Sequence, residues 1–144
     1  MNDIALSAGT RIDAAALYLQ DICHGASKGA GWWSGQIDGA TVDLCSVARE
    51  RTLLGTALVA QKLCLIHSEV SEAMEGARKD QMDDKLPHRK MLEVELADAL
   101  IRIFDLSGAL GLDLAGAIVE KLAFNANRPD HKLETRQAQG GKAF

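Results

Sequence analysis

Two short acidic repeats, Glu69-x-x-Glu72 and Glu95-x-x-Asp98, carry the residue types and the spacing that could do chemistry. Three-residue spacing sets both carboxylates of a pair on one face of a helix. From Glu72 to Glu95 is 23 positions, with Gly76, Pro87 and a charged stretch between, which predicts helix, turn, helix with the acidic faces opposed. Convergence would leave neighbouring charges roughly 5 Å apart, a repulsion of about 3 kcal/mol per pair at an effective dielectric near 20. Such a group takes up protons, recruits cations or binds a metal. Oxygen donors of this kind select Mg²⁺, with Mn²⁺ as a substitute, and Mg²⁺ commonly completes its shell with phosphate oxygens. The plainer reading is two solvated helix faces, since acidic pairs at this spacing are common there.

Cations suited to a phosphate lie further on. Lys121, Asn125 and Arg128 are spaced i, i+4, i+7, one stripe at the end of a helix. The other reading of that stripe is an outer face whose basic end favours the helix dipole. Trp32 and Trp33 sit within a run holding five glycines between Gly25 and Gly39, read as a loop. Either they pack the loop down or they contact something flat. His67 is one position off the Glu69 stripe and reads as a core histidine, while His24 carries no spacing signal. No G-x-x-x-x-G-K-S/T, serine elbow or cysteine–histidine spacing is present.

The elements that must position these residues are helical, because alanine and leucine abound and β-branched residues are sparse. The first helix is predicted from near Thr10 to Gly25 and the second, unbroken, from about Leu44 to Glu75. The third runs from about His88 to Leu106 with Pro87 in its first turn. The fourth runs from about Leu112 to Asn127, capped by Asp113. Along the third helix Glu95, Asp98, Arg102 and Asp105 form one narrow polar stripe and nearly everything else is apolar. A helix apolar almost all round needs partners on several sides, which predicts a homodimer or homotetramer. The 144 residues read as one all-α domain of four to five helices, with a polar tail from about 130 that frays. A net charge of −4 argues against a nucleic-acid polymer as partner. Three cysteines without a C-x-x-C, no basic or apolar leader and no apolar run near 18 residues point to a cytoplasmic chain outside the membrane.

At these motifs the chain resembles the MazG-like all-alpha nucleoside triphosphate pyrophosphohydrolases. That group's signature is E-E-x-x-E, a spacer, then E-x-x-D, where this chain has Ser68-Glu69-Val70-Ser71-Glu72 and Glu95-Leu96-Ala97-Asp98. Ser68 departs from the pattern and removes one auxiliary carboxylate. The later K-x-x-x-N-x-x-R element matches Lys121, Asn125 and Arg128, so the resemblance spans roughly residues 54–128. It implies a helical bundle completed by oligomerisation and Mg²⁺-dependent hydrolysis of a nucleoside triphosphate, deoxy or non-canonical, to monophosphate and pyrophosphate. Glu69, Glu72, Glu95 and Asp98 would then hold the metal, with Glu72, or else Glu69, taking a proton from water. Trp33 would stack on the base, as an aromatic loop residue does in dCTP-preferring relatives, with Trp32 packing the loop. The resemblance leans toward a pyrimidine deoxynucleotide and a role in cleaning the nucleotide pool. The alternative is a non-enzymatic helical dimerisation or regulatory protein with a solvated acidic stripe.

Overall fold

The computed structural model of the chain describes residues 2–129 and 132–137. Apart from one β-hairpin, these residues are helical: α1 (Asn2–Gly29), β1 (Ser34–Ile37), β2 (Ala40–Asp43), α2 (Leu44–Arg49), α3 (Leu53–Lys79), α4 (Met91–Leu110), α5 (Leu114–Asn127) and α6 (Leu133–Gln137). The all-α expectation holds at this level, with six helices among the described residues rather than four to five. The chain divides into two compact units, Met1–Leu17 with Asp113–Phe144, and Tyr18–Leu112.

In the first unit α5 starts where expected. Asp113 accepts a hydrogen bond from the Gly116 backbone N–H at 2.9 Å and so caps the helix. Of the tail expected to fray, Leu133–Gln137 is helical, and 130, 131 and 138–144 lie outside the described residues.

The second unit corrects four expectations. First, α1 runs through Gly25 and stops at Gly29. A helical glycine costs only about 1 kcal/mol, and side-chain bonds from His24 and Ser27 to Asp105 hold this last stretch against α4. Second, the glycine-rich run closes with a hairpin. Ile37 pairs with Ala40 around Asp38-Gly39, whose φ angles of 51° and 79° are those of a tight two-residue turn. Third, the predicted helix from Leu44 to Glu75 is two helices. Thr52 caps α3 by accepting from Gly55 N at 3.1 Å, and the corner is so tight that a Cβ at Gly55 would run into the carbonyls of Val47 and Glu50. Fourth, Pro87 lies in the turn before α4, not in its first turn. Buried Asp83 organises that turn by accepting from Lys85 N at 3.0 Å and Leu86 N at 2.6 Å, and the helix begins only at Met91.

The α3–α4 pair is the frame of this unit. Gly76 lies against Met91 at one end, and Glu69 meets Arg102 further along, so the two helices run antiparallel. At Gly76 an added Cβ would lie 2.9 Å from Met91 Cβ, and this close approach requires glycine. Trp33, Cys45, Ala48, Leu106 and Ala109 form the core beneath the hairpin, with Leu58, Val59 and Ile66 packed on it. By length and composition α3 is apolar enough to cross a membrane, with a mean hydropathy of 1.2 over its most apolar window. That window is only 11% buried, while Lys62, Glu69 and Glu72 on the same helix are groups a bilayer interior penalises.

Candidate metal centre

The antiparallel pairing of α3 and α4 faces the two acidic repeats toward each other. Glu69, Glu95 and Asp98 each offer a carboxylate oxygen, and these oxygens lie within 4.8 Å of one another. Glu69 and Glu95 are buried and Asp98 is half-buried. Glu72, expected as a fourth member and as general base, stands outside this group and is exposed. It sits one turn on from Glu69, and its charge still reaches Glu95.

The cluster is under electrostatic load. Burial, then a hydrogen bond with Glu69, then the charges of Glu72, Glu69 and Asp98 push the Glu95 carboxyl up to about 7. One positive group already answers this charge: Arg102 Nε is 2.7 Å from Glu69 Oε1. Its N–H points off the carboxylate, so the contact is an ion pair without a hydrogen bond. Three hard oxygen donors, one of them raised by burial and by its carboxylate neighbours, fit a divalent cation such as Mg²⁺.

A pH dependence follows. Between 4.5, the ordinary value for the group, and about 7, folded Glu95 binds more protons than unfolded Glu95, so stability falls as pH rises through this window. Without metal, Glu95→Gln should therefore gain on the wild type from pH 4.5 to 7, by about 5 °C in melting temperature or more. Millimolar Mg²⁺ should abolish the wild type's decline. Parallel melting curves at all pH values without metal would contradict the assignment.

Beside the cluster opens a cavity of about 530 Å³, within the range of small-molecule sites. Its wall includes Asp98, Arg102 and Asp105 from α4, Lys62 from α3, Ser27 from α1, and Trp32. The two tryptophans take the opposite places from those expected. Trp33 is 2% exposed, donates its indole N–H to Asp105 at 2.7 Å and has the Lys62 ammonium 4.2 Å above its ring, so it has no face for a base. Trp32 is 69% exposed and lines the cavity. Adjacent positions leaving a turn point to opposite sides, and the hairpin decides which side is core.

Asp105 is the functional-looking residue that spacing alone did not assign. Buried, it accepts from Trp33 Nε1, from Ser27 Oγ at 2.8 Å, and from His24 Nδ1 at 2.9 Å. The only signal was its place on the Glu95, Asp98, Arg102 stripe. His24 Nε2 lies 3.9 Å from Cys45 Sγ, so a cysteine, a histidine and a carboxylate stand in line. Burial in the core disfavours the Cys45 thiolate that a nucleophile needs. Burial, then the charge of Asp43, pushes the Cys45 thiol up, and it is buried in the core. Cys23 is likewise pushed up, by burial and then by Asp105.

Lys121 and Asn125 lie on α5, and Arg128 caps its C-terminus, all in the other unit. Lys121 Nζ and Arg128 Cζ gather over the exposed Phe124 ring at 4.7 and 5.9 Å, and Asn125 Oδ1 is buried without a hydrogen bond among the described residues.

No family model, no curated protein and no solved structure matches this chain. Fold and site together define an all-α protein with a buried carboxylate cluster compatible with a divalent metal and with hydrolase-type chemistry.

Proposed function

We propose that the chain is a MazG-like, Mg²⁺-dependent pyrophosphohydrolase that splits a (deoxy)nucleoside triphosphate into monophosphate and pyrophosphate, cleaning the nucleotide pool. The observation that carries this reading is the convergence of Glu69, Glu95 and Asp98 beside a cavity walled by Trp32, Lys62 and Arg102. Mg²⁺ held by the three carboxylates would lower the pKa of a water and offset charge on the leaving pyrophosphate. Glu72, exposed one turn from Glu69, would take the proton from that water, with Glu69 as the inner alternative. Glu95 cannot hold the metal and its proton together, so metal loading releases a proton near neutral pH. Trp32 takes over from Trp33 as the aromatic surface for the base. Lys121, Asn125 and Arg128 keep their assignment to phosphate on the strength of the matching motif. A cytoplasmic setting accords with the three free cysteines, Cys23, Cys45 and Cys64.

The test is pyrophosphate release from a panel of canonical and damaged triphosphates, with and without Mg²⁺. Wild type should release pyrophosphate and monophosphate from at least one. Glu72→Gln should slow release roughly a hundredfold to ten-thousandfold if Glu72 is the general base. Absence of hydrolysis across the panel would move the assignment to the regulatory reading.

That second reading draws on an observation of its own. On α3 Leu63, Val70 and Met74, and on α4 Leu92, Leu96 and Leu100, are large apolar residues left between 37% and 67% exposed. Their spacings of four and seven make a stripe on each helix. A second copy covering these stripes completes the bundle, for an enzyme or a dimerisation protein alike. Sedimentation equilibrium at micromolar concentration should give a dimer or a multiple of it. A monomer would remove the assembly from both readings.

A further inference from the structure

We propose that Arg102 is the residue that grips the substrate's polyphosphate, parked on Glu69 until a divalent cation takes that carboxylate. The inference rests on the pyrophosphohydrolase reading and adds to it a residue outside the motifs that suggested that reading.

Position comes first. Arg102 follows Asp98 by one helical turn on the same face of α4, and both line the cavity. The character of its ion pair comes second. An arginine engages a carboxylate most strongly with two parallel N–H bonds. Here only Nε approaches Glu69, its N–H misaligned, and the terminal nitrogens make no hydrogen bond among the described residues. The Arg102 side chain is 41% exposed and lines the cavity, while Glu69 is 8% exposed. Its fork makes no paired bond to Glu69 and is available to a ligand in that cavity.

Charge supplies the exchange. Arg102 and a divalent cation compete for Glu69, because both answer the same negative cluster. With the cation on Glu69, Arg102 loses its reason to stay and gains a repulsion. A phosphate chain beside Asp98 then offers it the planar, paired oxygens that guanidinium recognises. Lys62 adds a second positive group to the wall and makes no ion pair among the described residues, its ammonium resting on the Trp33 ring.

This arrangement gives Arg102→Gln two effects of opposite sign. In the full chain, calorimetric titration with Mg²⁺ alone should show binding about threefold tighter or more, because a competing cation is gone. Titration with inorganic triphosphate in saturating Mg²⁺ should show binding about tenfold weaker or more, because the charged hydrogen bonds are lost. Arg102→Lys should fall between wild type and Arg102→Gln for triphosphate, and it carries the test if the glutamine variant does not fold. An arginine that merely stabilises the α3–α4 seam would leave triphosphate affinity unchanged, and that result, or weaker Mg²⁺ binding in Arg102→Gln, overturns the proposal. Failure of wild type to bind triphosphate with Mg²⁺ overturns the hydrolase reading as well, so the two failures are told apart.

Discussion

Replacing Asp98 with asparagine should lower Mg²⁺-dependent pyrophosphate release by roughly a hundredfold to a thousandfold, with the fold retained. The expected size exceeds the ten- to hundredfold loss typical when a group behind a metal ligand is removed, because here a ligand itself goes. Asp98 is the half-buried member of the cluster and the one that also lines the cavity, so it stands where metal and substrate would meet. Its charge is also one of those raising Glu95. Removing it relieves repulsion, and the metal-free variant should melt at the same temperature as wild type or higher. Steady-state pyrophosphate assays and metal-free melting curves, run side by side, check both halves. Undiminished turnover would exclude Asp98 from the site; a large loss of stability would mean the residue is structural.

The largest effect on stability is expected at Asp105. Asp105→Ala leaves the Trp33 indole N–H, the Ser27 hydroxyl and the His24 ring without their common acceptor, all from one substitution. Breaking a buried, hydrogen-bonded charged group in this way costs about 3–5 kcal/mol. The loss falls on the core, because Trp33 sits at its centre with Cys45, Ala48, Leu106 and Ala109. The last stretch of α1 loses its tie to α4 as well. Urea unfolding followed by tryptophan fluorescence measures the change, and Asp105→Asn, which keeps an acceptor oxygen, should lose less. A change under about 1 kcal/mol in Asp105→Ala would show that the three donors find other partners.

Helix caps and chemical grouping were legible in the residue order because they are local. Asp113 caps α5 within three residues of itself, and the spacings of Glu69 to Glu72 and Glu95 to Asp98 follow from helical pitch. The stripe from Glu95 through Asp98 and Arg102 to Asp105 was equally plain, although nothing in it distinguished a metal-facing residue from one accepting three hydrogen bonds. Two features were present as local signals and were misread. Asp38-Gly39 is a hairpin turn pair hidden among glycines that suggested a loop, and Thr52-x-x-Gly55 is a helix start hidden inside an apolar run.

Other outcomes needed the tertiary structure. Spacing puts Glu69 and Glu72 on one side of α3, yet the line along which α4 crosses decides that Glu69 is buried with Glu95 and Asp98 while Glu72 stays outside. That line depends on close contacts such as Gly76 against Met91, between residues far apart in the chain. The tryptophans differ for the same kind of reason: Asp105, 72 positions from Trp33, supplies the buried acceptor that draws one indole into the core and leaves Trp32 on the cavity wall. Residue order alone determined that this chain is helical and that its carboxylates come in pairs, since both follow from interactions within a turn or two. Which carboxylates meet, which cation faces them and which aromatic ring is left open were decided by packing between α1, α3, α4 and the hairpin, because burial belongs to the assembled elements and to no single segment.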